Sequence, residues 1–265
     1  MNNRLSITIL GSGTCVPDLE KSACAVLMET GDRRLLFDIG PGTMRRLLQT
    51  GLCVQDIDYV LISHFHPDHT GELAAFLFAN KYPDLSRRQR RLTLGGGPGF
   101  RAFFEKLAAA YPNWLTWPEL AVTELIPETP NKREFGDFTL SWAPAAHQPE
   151  SIAYRVAAGA GACAVYTGDS DFSREIIDLA RGADLLICES ALPDQMKVDG
   201  HMTPYLSGKT ATEAAAGALV LTHFYPECDN VDIRAQARKT YSGPLHLARD
   251  LMKIHLPEGS VTWPK

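Results

Sequence analysis

Apolar and polar positions along this chain come in short bursts rather than long stripes. β-Rich runs of three to six residues recur at 5–10, 24–29, 34–38, 59–62, 92–94, 138–142, 152–156, 163–166, 184–188 and 218–221, and each predicts a strand. Helical patterns predict segments at 41–50, 70–80, 98–111, 173–181, 210–217 and 232–239. The first of these opens with Pro41, whose fixed φ suits a helix start, and stops at Gly51, which tolerates the left-handed exit. Adjacent strands come first, helices are mixed in afterwards, and the second half repeats the order. That order predicts an α+β arrangement of two mixed sheets packed face to face with helices outside, rather than a doubly wound parallel sheet. No stretch is rich enough in Gly and Ser to act as a linker. The Pro-rich stretch 112–130 is the softest boundary, but Trp114 and Trp117 within it demand burial, so it reads as an internal connection and residues 1–265 as a single domain.

The chain has 265 residues, 45% hydrophobic and 22% charged, which excludes disorder and leaves ample material for a core. A net charge of −5 supplies no global positive field for nucleic acid or anionic membrane. The six cysteines include no Cys-x-x-Cys pair and mostly fall in apolar runs, as buried free thiols do in a reducing cytoplasm. No apolar stretch approaches the roughly 18 residues of a membrane span, and the start passes directly into a strand pattern. The expectation is a cytoplasmic, unanchored protein.

The densest chemistry lies in Ser63-His64-Phe65-His66-Pro67-Asp68-His69, between the strand at 59–62 and the helix from Thr70. At a strand end side chains alternate, so His64 and His66 point one way while the turn into the helix brings Asp68 and His69 to an adjacent point. That geometry offers ligands to two divalent metal ions. Imidazole nitrogen with carboxylate oxygen suits Zn²⁺ first, and Mn²⁺ or Fe can occupy similar sites. Further ligands must come from elsewhere, and His147, Asp169 and His223 each follow a predicted strand. Each has a structural alternative: a loop histidine, the N-cap of the helix at 173–181, and a satisfied core histidine.

The pattern His64, His66, Asp68 and His69, followed in order by His147, Asp169 and His223, resembles the metallo-β-lactamase superfamily over nearly the whole chain. The resemblance implies a four-layered αββα sandwich. It also implies one metal on His64, His66 and His147, a second on Asp68, His69 and His223, and Asp169 bridging the two. Ile9-Leu10-Gly11-Ser12-Gly13-Thr14, the passage from Leu35 to Thr43, and Gly97-Pro98-Gly99 are similar to the ribonuclease Z-like branch. So is Cys188-Glu189-Ser190 followed by His201-Met202-Thr203. By that likeness His201 stabilises or protonates the transition state, Glu189 orients His201, and Asp68 orients the attacking water besides binding metal. The implied activity is a metal-dependent phosphodiesterase that hydrolyses RNA 3′ ends, or small or cyclic nucleotide diesters, with a metal-activated water. A thioesterase or lactonase of the same fold is the alternative. Homodimers are common in the branch.

Two departures bear on the substrate. Pro67 stands where ribonuclease Z proper usually has Gly, and the interval 148–161 has no room for that family's long tRNA-binding arm. Together with the charge of −5, this weakens any grip on a whole tRNA, since such affinity rests on many neutralised phosphates. Against it stands Arg87-Arg88-Gln89-Arg90-Arg91, which reads either as a solvated face or as a phosphate-contact loop beside the site. Gly11-Ser12-Gly13 has Val16 where a dinucleotide loop needs its third Gly, and is excluded as one. Gly95-Gly96-Gly97-Pro98-Gly99 lacks the Lys-Ser/Thr of a P-loop and reads as a tight turn before a helix. Tyr111, Trp114 and Trp117 read as core or pocket wall.

Overall fold

The run Tyr-Val-Leu-Ile at 59–62 shows no polar alternation because its strand is covered on both faces. The computed structural model describes residues 4–82, 88–127, 131–136, 138–159 and 161–263. Within them an eight-stranded sheet runs in the order β15 (Ser260–Thr262), β14 (Lys253–Leu256), β1 (Leu5–Gly11), β2 (Ala25–Thr30), β3 (Arg33–Phe37), β4 (Tyr59–Ile62), β5 (Leu92–Gly96), β6 (Leu120–Glu124). A seven-stranded sheet runs β13 (Leu245–Leu247), β12 (Leu219–Thr222), β11 (Leu185–Glu189), β10 (Cys163–Tyr166), β9 (Ile152–Ala158), β8 (Phe138–Pro144), β7 (Lys132–Glu134). Each sheet opens with antiparallel hairpins and passes into parallel pairing, from β3 to β6 in the first and from β10 to β13 in the second.

Alternate residues of a strand serve different cores. Val26, Met28, Phe37 and Leu61 face the second sheet, where the Phe37 ring lies 5.2 Å from that of Tyr154 and 6.0 Å from that of Tyr166. Leu27, Leu36, Val60 and Ile62, one position out of step, pack outward. They meet Leu47 of α1 (Thr43–Gln49), Phe76 of α3 (Leu73–Lys81), and Phe100 and Phe104 of α4 (Phe100–Ala110); the single turn α2 (Pro67–Thr70) precedes α3. On the far side α5 (Arg174–Ala180), α6 (Pro204–Glu213) and α7 (Ile233–Arg238) bury Ile176, Ile177, Ala211 and Ala237. The layers are helix, sheet, sheet, helix, as the resemblance implied. No helix of the described residues is long and apolar enough to cross a membrane.

Several expectations need correction. The stretch 112–130 is more than a connection, since it contains β6, the half-buried edge of the first sheet. Trp117 in it is buried, while Tyr111 and Trp114 are exposed and line a shallow cavity with Phe78. The helix expected at 210–217 begins at Pro204, because Thr203 accepts a hydrogen bond from the Leu206 amide and Pro204 occupies the first turn. The segment expected at 70–80 is divided into α2 and α3.

Arg90 and Arg91 of the arginine run are exposed, as a solvated face requires, but Arg88 departs from both readings. Arg88 is buried, and its guanidinium donates to the carbonyls of Gln55, Arg90 and Arg91. Burial lowers it to about 10, against the opposing charge of Asp58. Arg90 pairs with Asp58, 3.8 Å away, immediately before β4. The run therefore sits at the start of β4, whereas the histidine motif follows its end, roughly 13 Å along the strand at 3.3 Å per residue. Arg87 lies outside the described residues.

A buried carboxylate ahead of β14 ties both ends of the β1–β2 connection to α1. Asp250 accepts from Ser12 N at 3.0 Å, Ser12 Oγ at 2.9 Å, Ser22 N at 2.8 Å and Arg46 Nε at 2.8 Å. Removing it leaves the amides of Ser12 and Ser22 without their acceptor and the largely buried Arg46 guanidinium without its counter-charge. Asp250→Ala is expected to lower stability by about 3 kcal/mol, read as a lower urea midpoint at unchanged m value. A midpoint at the wild-type position would show that the carboxylate contributes nothing net.

Candidate metal centre

Every site residue expected from the sequence lies at or beyond the C-terminal end of a strand, which is where parallel strands open a crevice. His64 to His69 follow β4, His147 follows β8, Asp169 follows β10, Glu189 ends β11, and His223 follows β12. His66 is the N-cap of α2 and Pro67 its first residue, so the chain turns from extended to helical between His66 and Asp68. That change of period separates the two pairs of donors. Gly168 sets the approach of Asp169: its φ is +56°, and a Cβ there would lie 2.5 Å from the Ser63 Cβ. Asp169 is not the N-cap of α5, since Ser173 accepts the Ile176 amide there.

The structure brings together all seven candidate ligands. One donor atom each from His64, His66, His147 and Asp169 lie within 4.8 Å of one another, and the same holds for Asp68, His69 and His223. Asp169 belongs to both neighbourhoods, with Oδ2 3.7 Å from His64 Nε2 and Oδ1 3.2 Å from His69 Nε2 and 3.3 Å from His223 Nε2. Asp68 Oδ2 lies 3.6 Å from His223 Nε2 and 3.9 Å from His69 Nε2. His201 stands at the edge, its ring stacked on that of His223 with centroids 5.8 Å apart and its Nδ1 3.9 Å from Asp169.

Neighbours aim these rings. His147 Nδ1 donates to the Gly200 carbonyl at 3.0 Å, which turns Nε2 toward the centre, 3.3 Å from His66 Nδ1. Glu189, almost fully buried, lies 3.2 Å from His201 Nδ1 through both oxygens and accepts the Ser170 amide. Asp38 is the residue that sequence reasoning left without a role. It is fully buried and accepts from Ser63 N, Ser63 Oγ and His69 Nδ1, each at 2.7 Å, and from Tyr166 OH at 2.6 Å. The available signal was a charged residue closing an apolar strand before Ile39-Gly40-Pro41-Gly42. Asp38 and His223 both hold left-handed backbone, at φ +57° and +61°, a conformation costing roughly 1–3 kcal/mol for such residues.

The charges are strongly perturbed. Burial, reinforced by His69, drives His64 down to about 2, so its ring is neutral and keeps a lone pair. Burial raises Asp68 and Asp169, but His223 and His69 outweigh it, holding Asp68 at about 2 and Asp169 well below the carboxylate range. Burial opposes charge on His69, yet Asp169 and Asp38 raise it well above the usual imidazole value. His201 is pulled down by burial and, more strongly, up to about 9 by Glu189 and Asp169.

The donors fit divalent cations. His64 Nε2, His69 Nε2, Asp169 Oδ1 and both nitrogens of His223 are buried without a hydrogen-bond partner, although each such group costs roughly 1–3 kcal/mol when left so. They converge on common points, and mixed imidazole and carboxylate donors are the chemistry of zinc, manganese and iron sites.

Comparison with known proteins adds independent findings. The family model described as "Beta-lactamase superfamily domain" matches residues 33–224. The chain is 27% identical to a ribonuclease Z of Mycobacterium bovis, over 95% of this chain and 98% of that one. It is 26% identical to the probable metallo-hydrolase YhfI of Bacillus subtilis, over 92% and 97%. Among solved structures, the metallo-β-lactamase fold protein YhfI superposes with a TM-score of 0.81, and the short form of human tRNase Z with 0.77. Each of these two is 26% identical and is matched over 95% of this chain and 99% of its own.

The hydrogen bond from His69 to Asp38 has the form of an outer-shell contact that orients a ligand, typically worth about 10–100-fold in metal affinity. Asp38→Asn places an amide where three donors, Ser63 Oγ, His69 Nδ1 and Tyr166 OH, share one acceptor, and should weaken Zn²⁺ binding within that range. Chelator competition measures it, and an affinity equal to wild type would show that His69 needs no such support.

Proposed function

The chain belongs to the β-lactamase superfamily, and from that premise we propose that it is a binuclear, metal-dependent phosphodiesterase of the ribonuclease Z-like type. The observation that carries the reading is the place of Asp169, one carboxylate shared between two groups of imidazole and carboxylate donors. His64, His66 and His147 would hold one cation and Asp68, His69 and His223 the other, with Asp169 between them. Zinc is the first choice on donor type. When bound, such cations bring a water's pKa toward neutrality and neutralise the oxygens of a phosphate diester.

The chain's own groups supply the rest. Asp68, nearly buried and 3.6 Å from His223, stands where it can hold the attacking water in line as well as bind metal. Glu189 keeps His201 charged and fixes its Nδ1, so Nε2 is the atom left to give a proton to the departing oxygen. Asp38, Tyr166 and Ser63 close the floor beneath His69 and keep water out from below. The whole chain acts as one hydrolase domain, with a cytoplasmic location.

The substrate is an RNA 3′ end or a small or cyclic nucleotide diester. Only residues 148–151 separate His147 from β9, a turn closed by the Ser151 amide on the Gln148 carbonyl, and the next connection, from β9 to β10, is equally short. No tRNA-binding arm is inserted there, which favours short substrates.

With Zn²⁺ or Mn²⁺ the protein should hydrolyse bis-p-nitrophenyl phosphate, and His64→Ala or Asp169→Ala should abolish turnover. His201→Ala should lower kcat on diesters by roughly 10²–10⁴-fold, the usual worth of a general acid. Thioesters and lactones, assayed in parallel, should be turned over poorly and lose little with His201→Ala. Equal turnover of thioesters, insensitive to His201, would replace this reading with the acyl-hydrolase alternative.

A further inference from the structure

The loop that carries His201 connects β11 to α6, and residues 195–199 within it are exposed. Apolar burial therefore does little to hold this stretch in place. Its attachment beside the metal centre runs through Asp171, a residue outside the candidate ligand set. Asp171 Oδ2 accepts from Lys197 Nζ at 2.7 Å and from the Gly200 amide at 3.2 Å, while Oδ1 accepts from Phe172 N at 2.8 Å. The backbone amide of Asp171 donates to the carbonyl of Ala146 at 2.9 Å, next to His147. Lys197 also donates to the Val198 carbonyl at 2.6 Å, which fixes the turn leading to Gly200. One residue thus joins the residue before His147, through its backbone amide, to the residue before His201, through its carboxylate.

Gly200 is the point where this attachment reaches the centre. Its carbonyl accepts from His147 Nδ1, its φ is +82°, and a Cβ on it would come 2.9 Å from that same Nδ1. Only glycine allows the loop to lie this close with its carbonyl turned inward. The ion pair is half-exposed, with side-chain exposures of 31% for Lys197 and 27% for Asp171, so it is strong enough to bias the loop without making it immovable.

We infer that Asp171 and Lys197 are positioning residues, whose ion pair clamps the loop so that the Gly200 carbonyl orients His147 while His201 faces the same centre. The clamp couples two functions that are separate in sequence: the affinity of the site containing His147, and the placement of the proton donor. A cation held by His147 favours the closed loop, and the closed loop favours that cation, by the same factor in each direction. The inference rests on reading the site as a metal centre with His147 as a ligand.

Lys197→Met is the first test, because the lysine is exposed on one side and its loss threatens no core. One of the two Zn²⁺ affinities should fall about 10-fold, the low end of the range for residues acting through a ligand, with the other unchanged. The kcat on bis-p-nitrophenyl phosphate should fall by a similar factor at constant KM, with no change in thermal midpoint. Lys197→Arg should restore affinity and kcat together. Asp171→Ala should produce a larger loss of the same pattern, with faster amide exchange at Gly200. Wild-type Zn²⁺ affinity and wild-type kcat in both Lys197→Met and Asp171→Ala would overturn the clamp. If the wild-type protein binds two zinc ions but leaves diesters intact, the proposed activity fails, and the zinc measurements still decide the clamp.

Discussion

The site depends on satisfying one buried charge. Asp38 lies at the end of β3 with no exposure to solvent, and a carboxylate in that position costs several kcal/mol unless every oxygen is engaged. Three of its four donors come from the turn after β4, and the fourth, Tyr166 OH, comes from the opposite sheet. The charge can be paired only when the two sheets close with the β4 turn facing the end of β10. That closure places Asp169, three residues past Tyr166, against His64 and His69. The interaction that pays for burying the carboxylate is therefore the one that assembles the donors.

The same region concentrates unfavourable features. Two non-glycine residues hold left-handed backbone, and five polar atoms are buried without partners. Such features persist only where the surroundings determine them, and here they are held by the core between the sheets, with Phe37, Tyr154 and Tyr166 packed ring against ring. On the proposed reading, cations bound to the native state alone would recover part of the cost, stabilising the fold by RT ln(1 + [L]/Kd). Stability and activity would then share one set of side chains, and loss of a ligand would register in both.

Sequence reasoning was strongest where local pattern and chemistry coincide. The strands at 59–62 and 163–166 match residue for residue, because fully buried strands carry unbroken apolar runs. All seven candidate ligands were named from the sequence, six of them as polar residues following such runs and His147 five residues past the expected strand at 138–142, with the family resemblance grouping them. β7, β13 and β15 were not, since each is a three-residue strand, and β14, in which Lys253 and His255 alternate with Ile254 and Leu256, is too short and too polar to stand out. The start of α6 was missed because the helix was begun at Thr210, without weighing Thr203 and Pro204 as cap and first turn. Asp38 and Asp171 escaped for a different reason: their importance lies in partners 25 to 128 and 26 to 29 positions away, which no local period reveals. The arginine run misled at one position because charge density in sequence says nothing about direction: Arg88 turns inward to cap carbonyls, while Arg90 and Arg91 stay exposed.

That inward turn bears on what the centre can select. With Arg88 buried and Arg90 paired at the opposite end of β4, the described residues of the run offer no track of positive charge leading to the metal centre. The cavity beside Asp68 is lined by Arg45 and Lys21, but Lys21 is held by Asp18 and Asp229, and the chain as a whole carries −5. Long nucleic acids gain affinity by releasing many counterions, and that gain requires many unpaired cations along the path of the backbone. On the proposed reading, the favourable field for a phosphate would come chiefly from the cations held at the centre itself. A substrate bound by one or two phosphates loses nothing under that arrangement, whereas a whole tRNA would present most of its charge to a surface that does not attract it.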